Sequence, residues 1–231
     1  MRPTKTLVTR NNVTNWATDN LSDVASATPA IETRHQVALG TYAEVKLPAR
    51  FGAAHPNVGM TILSRTSVEI LQMIDDLDVD AGISYLDNEP LGRVSTVSLY
   101  DERYMLVCGA DSSLAGQDRV AWSDLAGQRL CLLTGDMQNR RIINRNLLEA
   151  GVTPQATVES SSTVVLVAHV LEGGWITILP EDIAGFLTQG KPLRTIPLEG
   201  DGASHAVGLV APWREPHTPV LEALLTEARR M

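Results

Sequence analysis

The sequence predicts an α/β fold built from two similar lobes, and three observations carry this expectation. An extended run, a helical run and a second extended run follow one another over residues 58–84, with a connection long enough for a parallel crossover. The same order restarts near residue 130 and continues to Pro180. No repeat at a fixed period accompanies it, so the two units share an order of elements rather than a solenoid repeat. The length of 231 residues, 44% of them hydrophobic, lies between one large domain and two small ones.

In chain order, residues 1–33 are rich in Thr, Asn, Ser and Asp with weak periodicity, and are expected to form a poorly ordered arm. "QVALG" reads as the first strand and "VGMTIL" as the second. In "SRTSVEILQMIDDLD", Ile70, Leu71, Ile74 and Leu77 fall on one helical face, with Thr66 or Ser67 as the N-cap. "VDAGIS" is the third strand, and "RVSTVSLY" and "RYMLVCGA" read as two further extended runs. The second unit runs strand "RLCLLTG", helix "MQNRRIINRNLLEAG", strand "ATVES", helix "STVVLVAHVLEGG" and strand "WITILP". Strands "LRTIPL" and "HAVGLVA" follow. The closing helix has Thr218 as cap, Pro219 at its first position, and an apolar stripe at Val220, Leu221, Leu224, Leu225 and Ala228.

Composition excludes several functions. Acidic residues outnumber basic ones 27 to 19, for a net charge of -8, so the mean field repels phosphate backbones. The N-terminus lacks the apolar segment of a secretory signal, and no stretch is long and apolar enough to span a bilayer, so a cytoplasmic location is expected. Cys108 and Cys131 sit inside apolar runs and read as small core residues rather than a disulfide pair. His169 lies within "VVLVAHVLE" and reads as a core residue. Asp75, Asp76, Asp78 and Asp80 lack the glycine and glutamate of a calcium loop and read as a solvated edge, so no metal is expected. Arg140, Arg141 and Arg145 read as a solvated helix face. No nucleotide-binding or nucleophile-elbow motif is present, and no cofactor is expected.

Four turns place hydroxyl or glycine residues where a strand meets a helix: Gly40 and Thr41; Ser64, Thr66 and Ser67; Thr134, Gly135 and Asp136; and Ser160 to Thr163. Free amides at a helix start carry partial positive charge, and hydroxyls beside them can complete a small-anion site. Each hydroxyl alone is better explained as a helix cap. Four such turns, two in each unit, point to a ligand at the carboxyl ends of the strands, in a cleft between lobes.

The run "VDAGISYLDNEPLGRVSTVSLYDERYMLVCGADSSLAG", with "DLAGQRLCLL" and "VLEGGWITILPEDIA", resembles the effector-binding domain of LysR-type transcriptional regulators. That family's ordered motifs, D-x-G-I, P-L-x-x-E-x-x-x-L-V, H-P-L-A and G-x-G-I-x-x-L-P, correspond to Asp80–Ile83, Ser98–Val107, Ser112–Ala115 and Gly173–Pro180. The resemblance covers about residues 35–230. It implies two Rossmann-like lobes with crossing strands, the type 2 periplasmic binding protein architecture. The first lobe would span residues 34–106 and 193–231, and the second residues 107–192. It also implies a small effector, often a carboxylate, contacted by Thr41, Thr66, Ser67 and Ser84 from one lobe and by Thr134, Gly135, Ser161 and Ser162 from the other. A homodimer is the implied assembly.

The chain departs from the family pattern in two places. Residues 1–33 contain no helix-turn-helix pattern, so operator DNA is an expected partner only if that module comes from a missing N-terminal segment or an intact relative. The first turn is several residues short, and Pro48 falls inside the helix after it. Two rivals remain: a stand-alone small-molecule-binding protein and an enzyme on the same fold. The enzyme would need a nucleophile or base, and its candidates Asp136 and Tyr42 have no His or Lys nearby in sequence, so no catalytic residue is assigned.

Overall fold

The computed structural model describes residues 34–39, 46–200, 204–213 and 215–231. Thr41 and Gly40, the first of the expected hydroxyl turns, and the expected arm 1–33 lie outside the described residues.

The first unit contains β1 (Arg34–Leu39), α1 (Lys46–Ala54), β2 (Gly59–Ser64), α2 (Ser67–Asp75) and β3 (Ala81–Tyr85). The long strand β4 (Val94–Gly109) leads on to the short β5 (Val120–Ala121). The second unit follows with β6 (Leu130–Leu133), α3 (Gln138–Glu149), β7 (Ala156–Ser160), α4 (Thr163–Leu171), β8 (Ile176–Pro180) and α5 (Glu181–Thr188). The chain returns through β9 (Leu193–Glu199) and β10 (Ser204–Pro212) to α6 (Pro219–Ala228).

The strands pair in the order β2-β1-β3-β10-β4-β8-β6-β7. In the first sheet β1 runs parallel to β2 and β3, and Leu39 is in register with both Ser64 and Ile83, so the carboxyl ends of all three strands are level. β10 runs antiparallel to β3 and β4. Every residue of β3 is buried, as a strand covered on both faces requires.

β4 joins the two halves. From Val94 to Arg103 it pairs with β10; from Tyr104 to Gly109 it pairs with β8 and β9. The two extended runs read from the sequence are therefore one strand, in which the partner changes and the chain does not turn. β9, grouped with the first lobe in the sequence reading, bonds to Met105–Gly109 and to β5, which attaches it to the second sheet. The larger core runs through this crossing without interruption: Phe51, Ile83 and Leu224 from the first unit belong to one cluster with Tyr104, Leu106, Leu132 and Ile143.

Local chemistry explains the elements. Pro48 lies in the first turn of α1, where its missing amide costs nothing. Gly82 is required on β3: a Cβ there would stand 2.3 Å from the Ile70 methyl of α2, so the helix can pack on the strand only without it. α6 starts with the Thr218 side chain accepting from the Leu221 amide and Pro219 in the first turn, and buries Leu221, Leu224, Leu225 and Ala228. Each of its buried leucines contributes about 2 kcal/mol.

Candidate functional site

The expected turns among the described residues stand at the carboxyl ends of the parallel strands. In the first sheet, β2 runs into the start of α2, and β3 ends at Ser84 and Tyr85, with β1 between the two strands. In the second, Leu133 of β6 is in register with Ser160 of β7, and the Thr134 amide donates to the Ser160 carbonyl at 3.2 Å. The turns 134–136 and 160–162 are therefore neighbours.

One side-chain pair joins the halves here. The hydroxyl of Ser84, itself 2% exposed, donates to Gln138 Oε1 at 3.5 Å. Gln138 is the first residue of α3 and is 4% exposed, and its Nε2 has no hydrogen-bond partner among the described residues. An unmatched buried amide donor is costly, about 1–3 kcal/mol, unless an acceptor reaches it.

The helix starts at Thr66 and Ser162 differ. At α2, Thr66 forms a complete capping box. Its hydroxyl accepts from the Glu69 amide at 3.3 Å, and its amide and hydroxyl both donate to Glu69 Oε2 at 2.9 Å. These bonds hold the Glu69 carboxyl below its ordinary range, so this helix start already carries an anion. Ser67 is buried beneath it. At α4 the N-cap is Ser162, yet its side chain makes no cap bond, and the Ser162 amide is taken by Ser160 Oγ at 3.1 Å. Ser161 is exposed and Ser162 half-buried.

The α3 helix is moored to the first half by polar bonds. Arg141 holds Glu89 with two bonds, Nε to Oε1 at 2.6 Å and Nη2 to Oε2 at 2.9 Å, and also donates to the Asp136 carbonyl at 2.6 Å. Arg145 donates to Asn88 at 2.6 Å, and Asn88 in turn lies 3.1 Å from His205 Nδ1 on β10. The expectation of a solvated arginine face is corrected for Arg140. Its side chain is 6% exposed, donating to the Leu133 carbonyl at 2.5 Å and to Glu159 at 2.7 Å. A buried guanidinium needs such partners, and they come from strands that lie apart from the helix in sequence. Lys46 of α1 and Asp182 of α5 form a second bridge, at 2.5 Å.

Behind this surface, where β4 changes partners, lies a carboxyl that sequence reasoning did not select. Glu102 is 3% exposed, accepts from the Tyr85 hydroxyl on β3, and lies 3.5 Å from the Tyr100 hydroxyl. Tyr85 also contacts Tyr104 at 2.9 Å. Burial pushes Glu102 up to about 7 against the lowering effect of its tyrosine bonds, and burial pushes the phenols of Tyr85 and Tyr104 well above their usual range. Glu102 is the glutamate of the segment matched to P-L-x-x-E, so that motif was its only sequence signal. Gln138 had none.

Other expectations resolve as follows. Cys108 and Cys131 are buried and unpaired, and burial raises both thiols, Cys131 to about 11. His169 is not a core residue: it lies half-buried near the surface with its ring edge-on to Trp175 at 6.1 Å, because the buried face of α4 is formed by Leu166, Val167 and Val170. Among the described residues no group of three or more His, Cys, Asp or Glu could hold a metal ion, and no helix is long and apolar enough to cross a membrane. A cavity of about 520 Å³ lies elsewhere, between Leu77, Arg93 and Trp213.

Comparison with known proteins places this geometry. The family model of the LysR substrate binding domain matches residues 37–231. Among curated relatives, the uncharacterised HTH-type transcriptional regulator YfeR of Shigella flexneri is 30% identical over 139 residues, 60% of this chain and 44% of that protein. The hydrogen peroxide-inducible genes activator of Dickeya chrysanthemi is 26% identical over 142 residues, 62% of this chain and 46% of that protein. The chain spans about half the length of the curated relatives it matches. Among solved structures, the effector binding domain of QuiR in complex with shikimate matches with a TM-score of 0.73 at 16% identity, covering 86% of this chain and 96% of that one. The reduced OxyR regulatory domain of Pseudomonas aeruginosa matches with a TM-score of 0.72 at 20% identity, covering 87% and 99%. These likenesses carry the fold: a type 2 periplasmic-binding-protein-like arrangement of two crossing α/β units.

Proposed function

Since the chain belongs to the family of LysR substrate-binding domains, we propose that it senses a small metabolite, a carboxylate or other small anion, held between its two lobes. The observation that carries this reading is the meeting of Ser84 with Gln138, where the end of β3 faces the start of α3 and a buried amide donor lacks an acceptor. A carboxylate oxygen would satisfy Gln138 Nε2, and the amides at the start of α4, whose Ser162 hydroxyl is free of cap duty, favour negative charge. Ser67, Thr134, Gly135, Ser161 and Ser162 complete the proposed contacts, with Thr41 from the first turn. Thr66 contributes chiefly by holding α2 in place through its capping box.

The lobes of this reading divide within β4, and β9 goes with the second. Ligand bonding to both lobes shifts them toward closure, since a ligand moves an equilibrium only through contacts that differ between its states. In a regulator that motion would be passed to a DNA-binding module outside the described residues, in the cytoplasm, with the domain acting by binding rather than turnover. Exposed apolar side chains on both halves, Ile62 and Val68 on one and Val164, Val165 and Leu171 on the other, suit a homodimer. Thiol sensing is not part of the reading, because burial keeps both cysteines protonated.

The test is a thermal-shift screen of plain and hydroxylated carboxylates, beginning with shikimate, repeated on Gln138→Ala. A ligand near 100 times its Kd should stabilise the domain by about 2.7 kcal/mol. A panel with no stabilising member, or a stabilisation that Gln138→Ala leaves untouched, overturns the reading.

A further inference from the structure

The cavity of about 520 Å³ lies outside the proposed cleft. Its walls come from the end of α2 (Leu71, Ile74, Asp75), the turn at Leu77, the start of β4 with the residues before it (Leu91–Val94), and the end of β10 (Pro212, Trp213). β10 runs antiparallel to β3, so these residues stand at the opposite end of β3 from Ser84. Ser84 pairs with Gly208, and Pro212 of the cavity wall is four residues further along β10, about 13 Å away.

Three features of this cavity are costly for a surface that does nothing. Leu77 has a φ of 61°, the one non-glycine residue with positive φ among those described, at a helix end where glycine is the usual occupant. Its side chain is nevertheless 48% exposed, so the strain is not offset by burial. Trp213 leaves its indole 61% exposed. Arg93 is exposed and has no ion-pair or hydrogen-bond partner among the described residues, although Asp75 lines the same cavity. The floor is firm, because Ile74 belongs to a small buried cluster with Ile70, Val79 and Val210.

We propose that this cavity is a second small-molecule site, for a monocarboxylate with an apolar tail or ring. The free guanidinium of Arg93 can take a carboxylate through two parallel bonds. The Trp213 indole and the Leu71, Leu77 and Leu91 side chains take the apolar part, and the volume falls within the range of small-ligand pockets. The Asp75 carboxylate on the same wall disfavours a second negative charge on the ligand. This proposal does not depend on the cleft reading: it uses none of the same residues.

The experiment is a titration of intrinsic tryptophan fluorescence in the full chain with octanoate and with phenylacetate. Trp213→Phe identifies the reporting indole, and Arg93→Gln and Gln138→Ala are titrated alongside. The expected result is a saturable signal that Trp213→Phe abolishes. Arg93→Gln weakens the affinity about tenfold or more, the scale of a lost charge-assisted bond, and Gln138→Ala leaves it unchanged. Both substituted residues of the cavity are exposed, so the variants should fold; a native circular dichroism spectrum checks this. The proposal is overturned if neither probe gives a saturable change up to about 10 mM, a weak-affinity limit. It is equally overturned if Arg93→Gln binds like the parent, or if Gln138→Ala removes the signal, which would place the probe in the cleft.

Discussion

The Ser84 hydroxyl and the Gln138 side chain lie 54 residues apart in sequence and 3.5 Å apart in space, and they join the first sheet to the first helix of the second unit. Because Gln138 Nε2 has no protein partner among the described residues, its removal should cost affinity more than stability. Gln138→Ala is expected to weaken the best carboxylate of the screen about tenfold, the scale of one hydrogen bond to a charged group. Its urea midpoint should stay close to that of the parent. Isothermal titration together with urea unfolding reads both quantities, and a large loss of stability with unchanged affinity would show a purely structural glutamine.

Thr66 and Ser162 are both N-caps by position, and only Thr66 caps by chemistry. Thr66→Ala should therefore destabilise the fold by about 1 kcal/mol. Ser162→Ala should change stability by less than about 0.5 kcal/mol, since the half-buried hydroxyl makes no cap bond to lose. Chemical denaturation of the two variants checks the order, and equal losses would contradict it.

Glu102 gives the fold a pH dependence of known sign. The folded protein holds this proton up to about pH 7, whereas the unfolded chain releases it near the ordinary 4.5, so the folded state binds more protons between those values. Its stabilising contribution is complete below about pH 4.5 and falls as pH rises through 7, by at most about 3 kcal/mol. The groups facing it are Tyr85 from β3, Tyr100 from β4 and Asp182 from α5. Glu102→Gln replaces the protonated acid with a neutral side chain of the same shape. Urea unfolding of both proteins between pH 5 and pH 8 should show a steeper decline for the parent, and parallel curves would reject this role for Glu102.

Gly82→Ala tests the packing of α2 on β3. The new Cβ would fall 2.3 Å from Ile70 and 3.3 Å from both Ile74 and Val210, all buried. Relieving that overlap requires the helix to shift, and a loss of about 1–3 kcal/mol is expected. The thermal midpoint reports it; an unchanged value would mean that the helix moves freely on the strand.

Much of the architecture was legible in the sequence, because period and punctuation are local. The Thr218 cap, Pro219 and the apolar face of α6 were found from neighbours a few residues away; for α2 the cap was narrowed to Thr66 or Ser67, and Leu77, placed on its apolar face, lies past the helix end and is 48% exposed. The site was less legible. The turns at 134–136 and 160–162 do precede helix starts, and β6 and β7 bring them side by side. Gln138, Glu89 and Glu102 were missed, since each acquires its role from a partner on a different element. Arg140 was misread for the same reason: its partners Leu133 and Glu159 lie on strands, and helix periodicity says nothing of them.

The sequence by itself determined the alternation of strand and helix, the hydroxyl turns at the strand ends, and the ordered motifs of the family. These are properties of segments, fixed by backbone preference and by side chains within about four residues of one another. Tertiary structure alone decided that two extended runs become the single crossing strand β4, that Ser84 faces Gln138, and that a carboxyl on that strand is buried among tyrosines. These depend on strand pairing and on burial. Burial changes the energy of a charge or an unpaired donor by whole kilocalories per mole, and only the packed chain defines which groups it covers.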